Sequence, residues 1–497
     1  MSDTALRWAT PGRLFLLPLT ALAVVLTARE ALGIQAGPIL VIAAFFAAAL
    51  TLLVVAHHPA IFIAPVLFLP RLKEVGVLSQ FGPASNWTAL EMACGLLAIG
   101  VGMRWLAKTQ RIRSEEEEAI ASAAEARASL RGPVTAFVVF AAVVVGSYLY
   151  TVAPHYGSQK LVAFATLGCS MFFVPFLLFT SERDFRDFTV GTVLFGAVVA
   201  ASSLSFSATG AMGAEDNPAH IGKGQVIALA ILLLIYTPIQ NKWLRAAVLF
   251  VAIPALAAGL VSAETRGPLF SLLFVLVLSF CLESFRSPVV TRRQMAFVGV
   301  ALVAAVMLLS TFWFYGAEAF KFQYKATEIM NLVEGDNQAK GTAVERLVFY
   351  RAAVELWTER PVFGWGLGGW SMAYLQTDTR EYPHNLILEV LVEQGLVGLV
   401  ALLLFFRAVF RHLHEHKAAA RKHFPCLLPG LVYLISIAMF SGDLDDDRFI
   451  WFWCGLVLAG CSLAVRQVNA NFSSEKKNMA AEAFAHASPA DPVAFTD

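Results

Sequence analysis

The stretch Tyr382-Pro383-His384-Asn385-Leu386-Ile387-Leu388-Glu389-Val390-Leu391-Val392-Glu393-Gln394-Gly395-Leu396-Val397-Gly398 decides the class of this protein. It continues apolar to Phe406, so residues 384–406 read as a helix able to cross a bilayer. It is not an inert span. A histidine stands at its lip, and two carboxylates follow one to two turns deeper. Charge inside a membrane span is costly and marks a working site. Glu389 and Glu393 are four apart and share one face. Glu393 lies about 13 Å below His384 at 1.5 Å per residue and needs an ion-pair or hydrogen-bond partner. A histidine at a helix N-terminus meets the positive end of the macrodipole, which favours neutral imidazole. The same helix end attracts phosphate oxygens. The stretch therefore points to chemistry on a phosphorylated substrate at a membrane surface.

The composition around it agrees. Of 497 residues, 58% are hydrophobic and 15% charged, with a mean hydropathy of +0.66. Soluble domains carry about 25% charged residues. Repeated apolar runs near 20 residues make this a polytopic, all-α helical membrane protein. A net charge of +1 gives no global field for nucleic acid. The six cysteines fall in or beside apolar runs, at spacings that match neither a disulfide framework nor a zinc site. Arg7 and Arg13 ahead of an apolar run resemble a signal peptide, but a second apolar run follows at once, so the first reads as an uncleaved span.

Apolar runs place spans near 14–33, 38–56, 60–70, 88–106, 133–152, 160–180, 188–207, 222–238, 244–262, 267–283, 295–315, 384–406, 425–440 and 449–466. The 60–70 run is short and bracketed by Pro59 and Pro70, so the total is 12 to 14 spans. With fourteen spans and a cytoplasmic N-terminus, basic residues crowd the cytoplasmic loops. The other side holds only Arg29, Arg71, Lys73, Lys160, Lys223, Arg266 and Arg448 in its short loops. This positive-inside asymmetry predicts a multi-pass protein with both termini cytoplasmic.

The chain then divides into an N-terminal transmembrane bundle (1–315), a large loop (316–383), C-terminal transmembrane helices (384–466) and a polar, Ala-rich tail (467–497) that reads as disordered. Residues 107–132, with Glu115 to Glu118, read as a solvated cytoplasmic connector within the first part. The loop 316–383 is the one long segment opposite the cytoplasm, and loops of that length are usually functional.

Within that loop, Thr342 to Thr358 reads as a helix stopped by Pro361. Arg346 and Arg351 fall about 140° apart on it and do not share a pocket. Arg346 shares a face with Tyr350, whereas Arg351 can pair with Glu355 one turn on. Arg346 is the favoured ligand-binding residue; Arg351 keeps a supporting place. The following Pro361-Val362-Phe363-Gly364-Trp365-Gly366-Leu367-Gly368-Gly369-Trp370 lacks the βαβ setting of a dinucleotide fingerprint. Its glycines suit tight turns near a membrane surface, with Trp365 and Trp370 at headgroup level.

Arg266 lies in the short turn Ala263-Glu264-Thr265-Arg266-Gly267-Pro268, on the same side as the long loop. It is either an arginine paired with Glu264 at a helix end or a fixed guanidinium for phosphate. Asp443-Leu444-Asp445-Asp446-Asp447-Arg448 reads as a solvated acidic turn, and with no second cluster to complete a site, no metal is expected there.

These pieces resemble the O-antigen ligase and polymerase superfamily of membrane glycan enzymes. The resemblance rests on Thr265-Arg266-Gly267, on Glu345-Arg346 with Pro361…Gly364-x-Gly366, and on His384-Asn385 with Glu393-x-Gly395-x-x-Gly398. It covers roughly 220–455. It implies a C-type glycosyltransferase-like helical bundle in the bacterial inner membrane. It implies a periplasmic reaction in which a glycan leaves undecaprenyl diphosphate for a hydroxyl acceptor, with inversion and without a cofactor or metal. A ligase passes the glycan to lipid A-core; a polymerase of O-antigen or exopolysaccharide passes it to another lipid-linked repeat. By the resemblance, His384 is the general base and Arg266 and Arg346 hold the diphosphate; Tyr350, Arg351, Asn385 and Glu393 read as supporting residues from their places beside these. Eleven spans ahead of the long loop, against nine usual for a ligase, keep the polymerase reading open. A lipid-linked glycan flippase is the rival from another class. It would spread charge through several mid-membrane positions and carry an internal repeat.

Overall fold

The computed structural model describes residues 58–68, 118–208, 218–263, 265–284, 342–444 and 447–486. Among them every regular element is helical, the all-α bundle that the apolar runs predict. The spans expected at 14–33, 38–56, 88–106 and 295–315, and loop residues 316–341, lie outside the described residues.

In chain order the helices are α1 (Ile63–Phe68), α2 (Glu118–Ser147), α3 (Pro154–Leu178), α4 (Glu182–Ala208), α5 (Pro218–Tyr236), α6 (Lys242–Ser262) and α7 (Arg266–Ser284). After the long loop begins come α8 (Thr342–Glu359), α9 (Gly369–Leu375), α10 (Leu386–Glu415), α11 (Lys417–His423), α12 (Leu427–Ser441) and α13 (Arg448–His486). Among the described residues six stretches are long and apolar enough to cross a membrane: Ser129–Tyr150, Pro154–Leu178, Glu182–Leu204, Lys242–Ser262, Leu386–Glu415 and Arg448–Asn469. The α11–α12 pair is bent by 95°. Within the 60–70 run residues 60–68 are described; they are helical, with Ala60, Ile63, Ala64, Leu67 and Phe68 buried. His58 pairs with Asp187 at one end, and the Leu67 carbonyl accepts from Arg448 Nε at 2.9 Å at the other.

Lipid tails are as apolar as leucine, so helices in a bilayer associate by close packing and interhelical hydrogen bonds. α13 is the centre: 83% of its span is buried, against 17% for α6 at the rim. Its Trp451 joins a ring pile with Phe137, Phe140, Phe164 and Phe405, within which Phe137 stacks on Phe172 at 3.9 Å. Trp453 Nε1 donates to the Leu427 carbonyl at 2.8 Å, which satisfies a donor that lipid would leave unpaired. α13 continues through the start of the expected polar tail to His486.

Candidate active site

The span that opened the sequence reading is broken. Inside α10, Gly395 takes φ +67° and ψ −160°, far from helical values. A break in a membrane helix persists only where its freed backbone groups find partners. Here the partners come from the loop after α8. Trp365 N–H donates to the Val392 carbonyl at 2.9 Å and Gly366 N–H to that of Glu393 at 2.8 Å. Beyond the break, Leu396 N–H donates to the Pro361 carbonyl at 2.9 Å and Val397 N–H to that of Val362 at 3.2 Å. The approach is so close that a Cβ on Gly364 would lie 2.5 Å from the Val392 oxygen, and Gly364 also has φ +71°. The glycines thus serve a backbone-to-backbone clasp. Trp370 is fully buried against Phe349 and Tyr374, and Trp365 is half-buried under Arg360, whose guanidinium carbon sits 3.9 Å from its ring. Trp370 is therefore a core residue rather than a headgroup anchor, because the clasp folds this loop onto α10.

The two carboxylates of α10 find a common partner. Lys160, from α3, reaches Glu389 through its Nζ and lies 2.8 Å and 2.9 Å from the two carboxylate oxygens of Glu393. Asp443 Oδ1 stands 3.8 Å away, and all four side chains are fully buried. Leu444 N–H donates to the Glu389 carboxylate at 3.1 Å, and the Gly368 backbone to that of Glu393. Arg380 reaches Asp443 Oδ2 at 3.3 Å. Two expectations are corrected here. Lys160 is not a loop cation but the buried counter-charge of α10. The Asp443–Arg448 turn is not solvated: Asp443, Asp447 and Arg448 are buried, while Asp445 and Asp446 lie outside the described residues. Burying three carboxylates requires charged partners, and the turn supplies one of the three.

Above this cluster sits His384. Its φ of +55° is unusual for a residue with a side chain, a strain that persists only when the surroundings over-determine it. They do. The imidazole lies parallel to the Phe349 ring at 6.2 Å and is tilted against Tyr382 at 4.4 Å. Its Nδ1 is buried and makes no hydrogen bond among the described residues. Burial lowers its pKa to about 4, helped by the charge of Arg346 and opposed by Asp443. The imidazole is therefore neutral, held so by burial and a neighbouring guanidinium.

The supporting residues sort themselves by geometry. Arg346 and Tyr350 lie half-buried on the inner face of α8. The Tyr350 hydroxyl lies 3.0 Å from the Met439 carbonyl and 3.4 Å from that of His384. Burial pushes that hydroxyl's pKa up, so it remains a neutral donor. Arg351 is exposed and pairs with Glu355 at 2.8 Å. Asn385 is the N-cap of α10: its Oδ1 accepts from Ile387 and Leu388 N–H at 3.0 Å and 3.1 Å, and its Nδ2 donates to Met439. Its amide is thereby committed to the backbone, an ordinary use for asparagine at this position. Arg266 is the first residue of α7, and its side chain lies outside the described residues. The backbone still places it. Gly267 lies against Phe440, next to the Met439 carbonyl that Tyr350 and Asn385 share. The start of α10, the end of α12 and the middle of α8 thus meet beside His384, and the start of α7 lies against that end of α12.

Lys160, Asp443 and Arg380 are the members that sequence reasoning missed. Their signal was a lysine and an acidic turn on the same membrane side as Glu389 and Glu393.

No curated protein matches the chain. Residues 250–403, the stretch that carries Arg266, Arg346, His384 and Glu393, match the family model described as O-Antigen ligase, and that match supports the O-antigen ligase/polymerase superfamily for this multi-pass membrane protein.

Proposed function

We propose that this protein transfers a glycan from undecaprenyl diphosphate to a sugar hydroxyl at the periplasmic face of the bacterial inner membrane, as a ligase with lipid A-core or a similar acceptor. The observation that carries the reading is His384: a neutral imidazole with an uncommitted, buried Nδ1, clamped by aromatic rings beside the cationic Arg346.

In this reading the lipid diphosphate binds Arg346 and Arg266. The acceptor oxygen attacks the anomeric carbon from the face opposite the diphosphate. His384 takes the hydroxyl proton as the new C–O bond forms, and the C–O bond to phosphate breaks with its electron pair leaving on the diphosphate. The configuration inverts. The leaving group already carries negative charge, so fixed cations stabilise its departure. The acceptor hydroxyl is a weak nucleophile and needs the base. Imidazolium would be disfavoured beside Arg346 alone. A bound diphosphate offsets that charge, so His384 becomes a stronger base when the donor is in place.

The test is glycan transfer in vitro with a defined lipid-linked donor. His384→Ala, folded and expressed, should lose about 10²–10⁴ in rate. A near wild-type rate, or a product of retained configuration, overturns the mechanism. In cells lacking the protein, full-length polymer left on lipid indicates a lost ligase, and single repeats indicate a lost polymerase. For orientation, a cysteine at exposed Thr379 should react with an impermeant thiol reagent in intact-envelope cells, and one at exposed Lys417 should not. Equal labelling contradicts the periplasmic assignment.

A further inference from the structure

At the opposite end of α10 from His384 lies a second group of ligand-bearing side chains. His412, Glu415 and His416 each offer one ligand atom, all within 4.8 Å of one another. Spacings of three and four put the three on one helix face. The two imidazole rings are 4.7 Å apart. His412 is 2% exposed, and its Nε2 is buried with no hydrogen-bond partner among the described residues. A buried polar atom left unpaired forfeits its hydration without a replacement, so it calls for an explanation.

We infer that His412, Glu415 and His416 form a binding site for a borderline divalent transition ion of the Zn²⁺ type, separate from the glycan-transfer centre. Imidazole nitrogens with one carboxylate are the ligand set such ions prefer over Mg²⁺ or Ca²⁺. With Zn–N near 2.0–2.1 Å, ligand atoms in a tetrahedral site stand about 3.3 Å apart, so atoms now within 4.8 Å of one another close by no more than about 1.5 Å on binding. Glu415 Oε1 is paired with Arg411 at 2.8 Å, but both partners are exposed. An exposed pair, screened by solvent, yields readily to a metal. A water completes the fourth position. His416 is the hinge residue between α10 and α11, so the ion would staple the end of the broken span to the next helix.

The test uses full-length protein in detergent, purified without a polyhistidine tag, stripped with chelator and titrated with ZnCl₂ by calorimetry. One equivalent should bind, and the melting temperature should rise with Zn²⁺. His416→Asn should weaken binding at least tenfold and abolish the shift, as should His412→Asn. His414→Asn is the control, because exposed His414 sits on the same turn outside the group. If His412→Asn fails to fold, half-buried His416 carries the test alone. Absence of one-equivalent binding, or equal losses for His414→Asn and His416→Asn, means an adventitious ion only and overturns the inference.

Discussion

Gly395→Ala tests whether the clasp between the long loop and the broken span holds the site. Gly395 occupies a region of φ/ψ that is essentially restricted to glycine, and a side chain there costs about 1–3 kcal/mol. The space is also taken. A Cβ would stand 2.3 Å from the Val362 oxygen, 2.4 Å from its carbonyl carbon and 2.6 Å from the Phe363 nitrogen. All three are backbone atoms, so no rotamer change relieves the clash. The chain must give up the four clasp hydrogen bonds, at about 1 kcal/mol each. If α10 straightens, Leu396 and Val397 recover helical partners, and the loss falls to the loop's own groups. The expected destabilisation is therefore about 2–4 kcal/mol. Activity should suffer more than stability, because the loop connects to α8 through Trp365 Nε1 on the Leu356 carbonyl at 2.9 Å. A misplacement near 1 Å at a reacting group can cost about 10²-fold. The assay is thermal unfolding in detergent alongside glycan transfer. Gly146→Ala is the control: it lies in α2 with no atom within 4 Å of its Cβ, and it should be neutral or stabilising by up to about 1 kcal/mol. If Gly395→Ala melts and turns over like Gly146→Ala, the clasp does not hold the break.

Lys160→Met should destabilise by about 3–5 kcal/mol, since it strips three buried carboxylates of their common ammonium; adding Glu389→Gln and Glu393→Gln should restore much of that. An unchanged melting temperature in the single variant would show that the cluster holds nothing. Arg346→Ala should cost about 2.7–4 kcal/mol in transition-state stabilisation, comparable to loss of an anion-hole donor, with poor rescue by lysine. Arg351→Ala should sit within about 0.5 kcal/mol of wild type in unfolding experiments, its ion pair with Glu355 being exposed; a reversed order of activity loss refutes the assignment of the inner face. For His384 the sign follows from its lowered pKa. Below pH 6.5 the unfolded histidine takes a proton that the folded one refuses until about pH 4, so stability falls across that window by at most about 3 kcal/mol. His384→Asn should remove that slope from pH-dependent unfolding. The acid limb of kcat/KM should likewise lie well below pH 6.5, and a limb at 6.5 contradicts a buried neutral imidazole.

Much of this protein is set by its sequence alone, because membrane spans, helix caps and helix faces are short-range properties. Twenty apolar residues must be helical in lipid whatever surrounds them. Five residues of helix separate Arg346 from Arg351 in any fold, and the structure accordingly turns one inward and pairs the other with Glu355. The break at Gly395 was visible only as a glycine in an apolar run. What makes it a break is the loop that docks there, and docking is a tertiary fact. The same holds for Lys160: its position on α3 says nothing of Glu389 and Glu393 until α3 packs beside α10. Asp443 looked like solvent-exposed acid until Lys160 and Arg380 surrounded it. Asn385 shared a motif with His384, yet the packing of α12 gave its amide to Met439. Local pattern determines which groups a helix carries and on which side. Only packing decides which charges meet, because a buried charge settles where a partner from another helix removes the cost of leaving water.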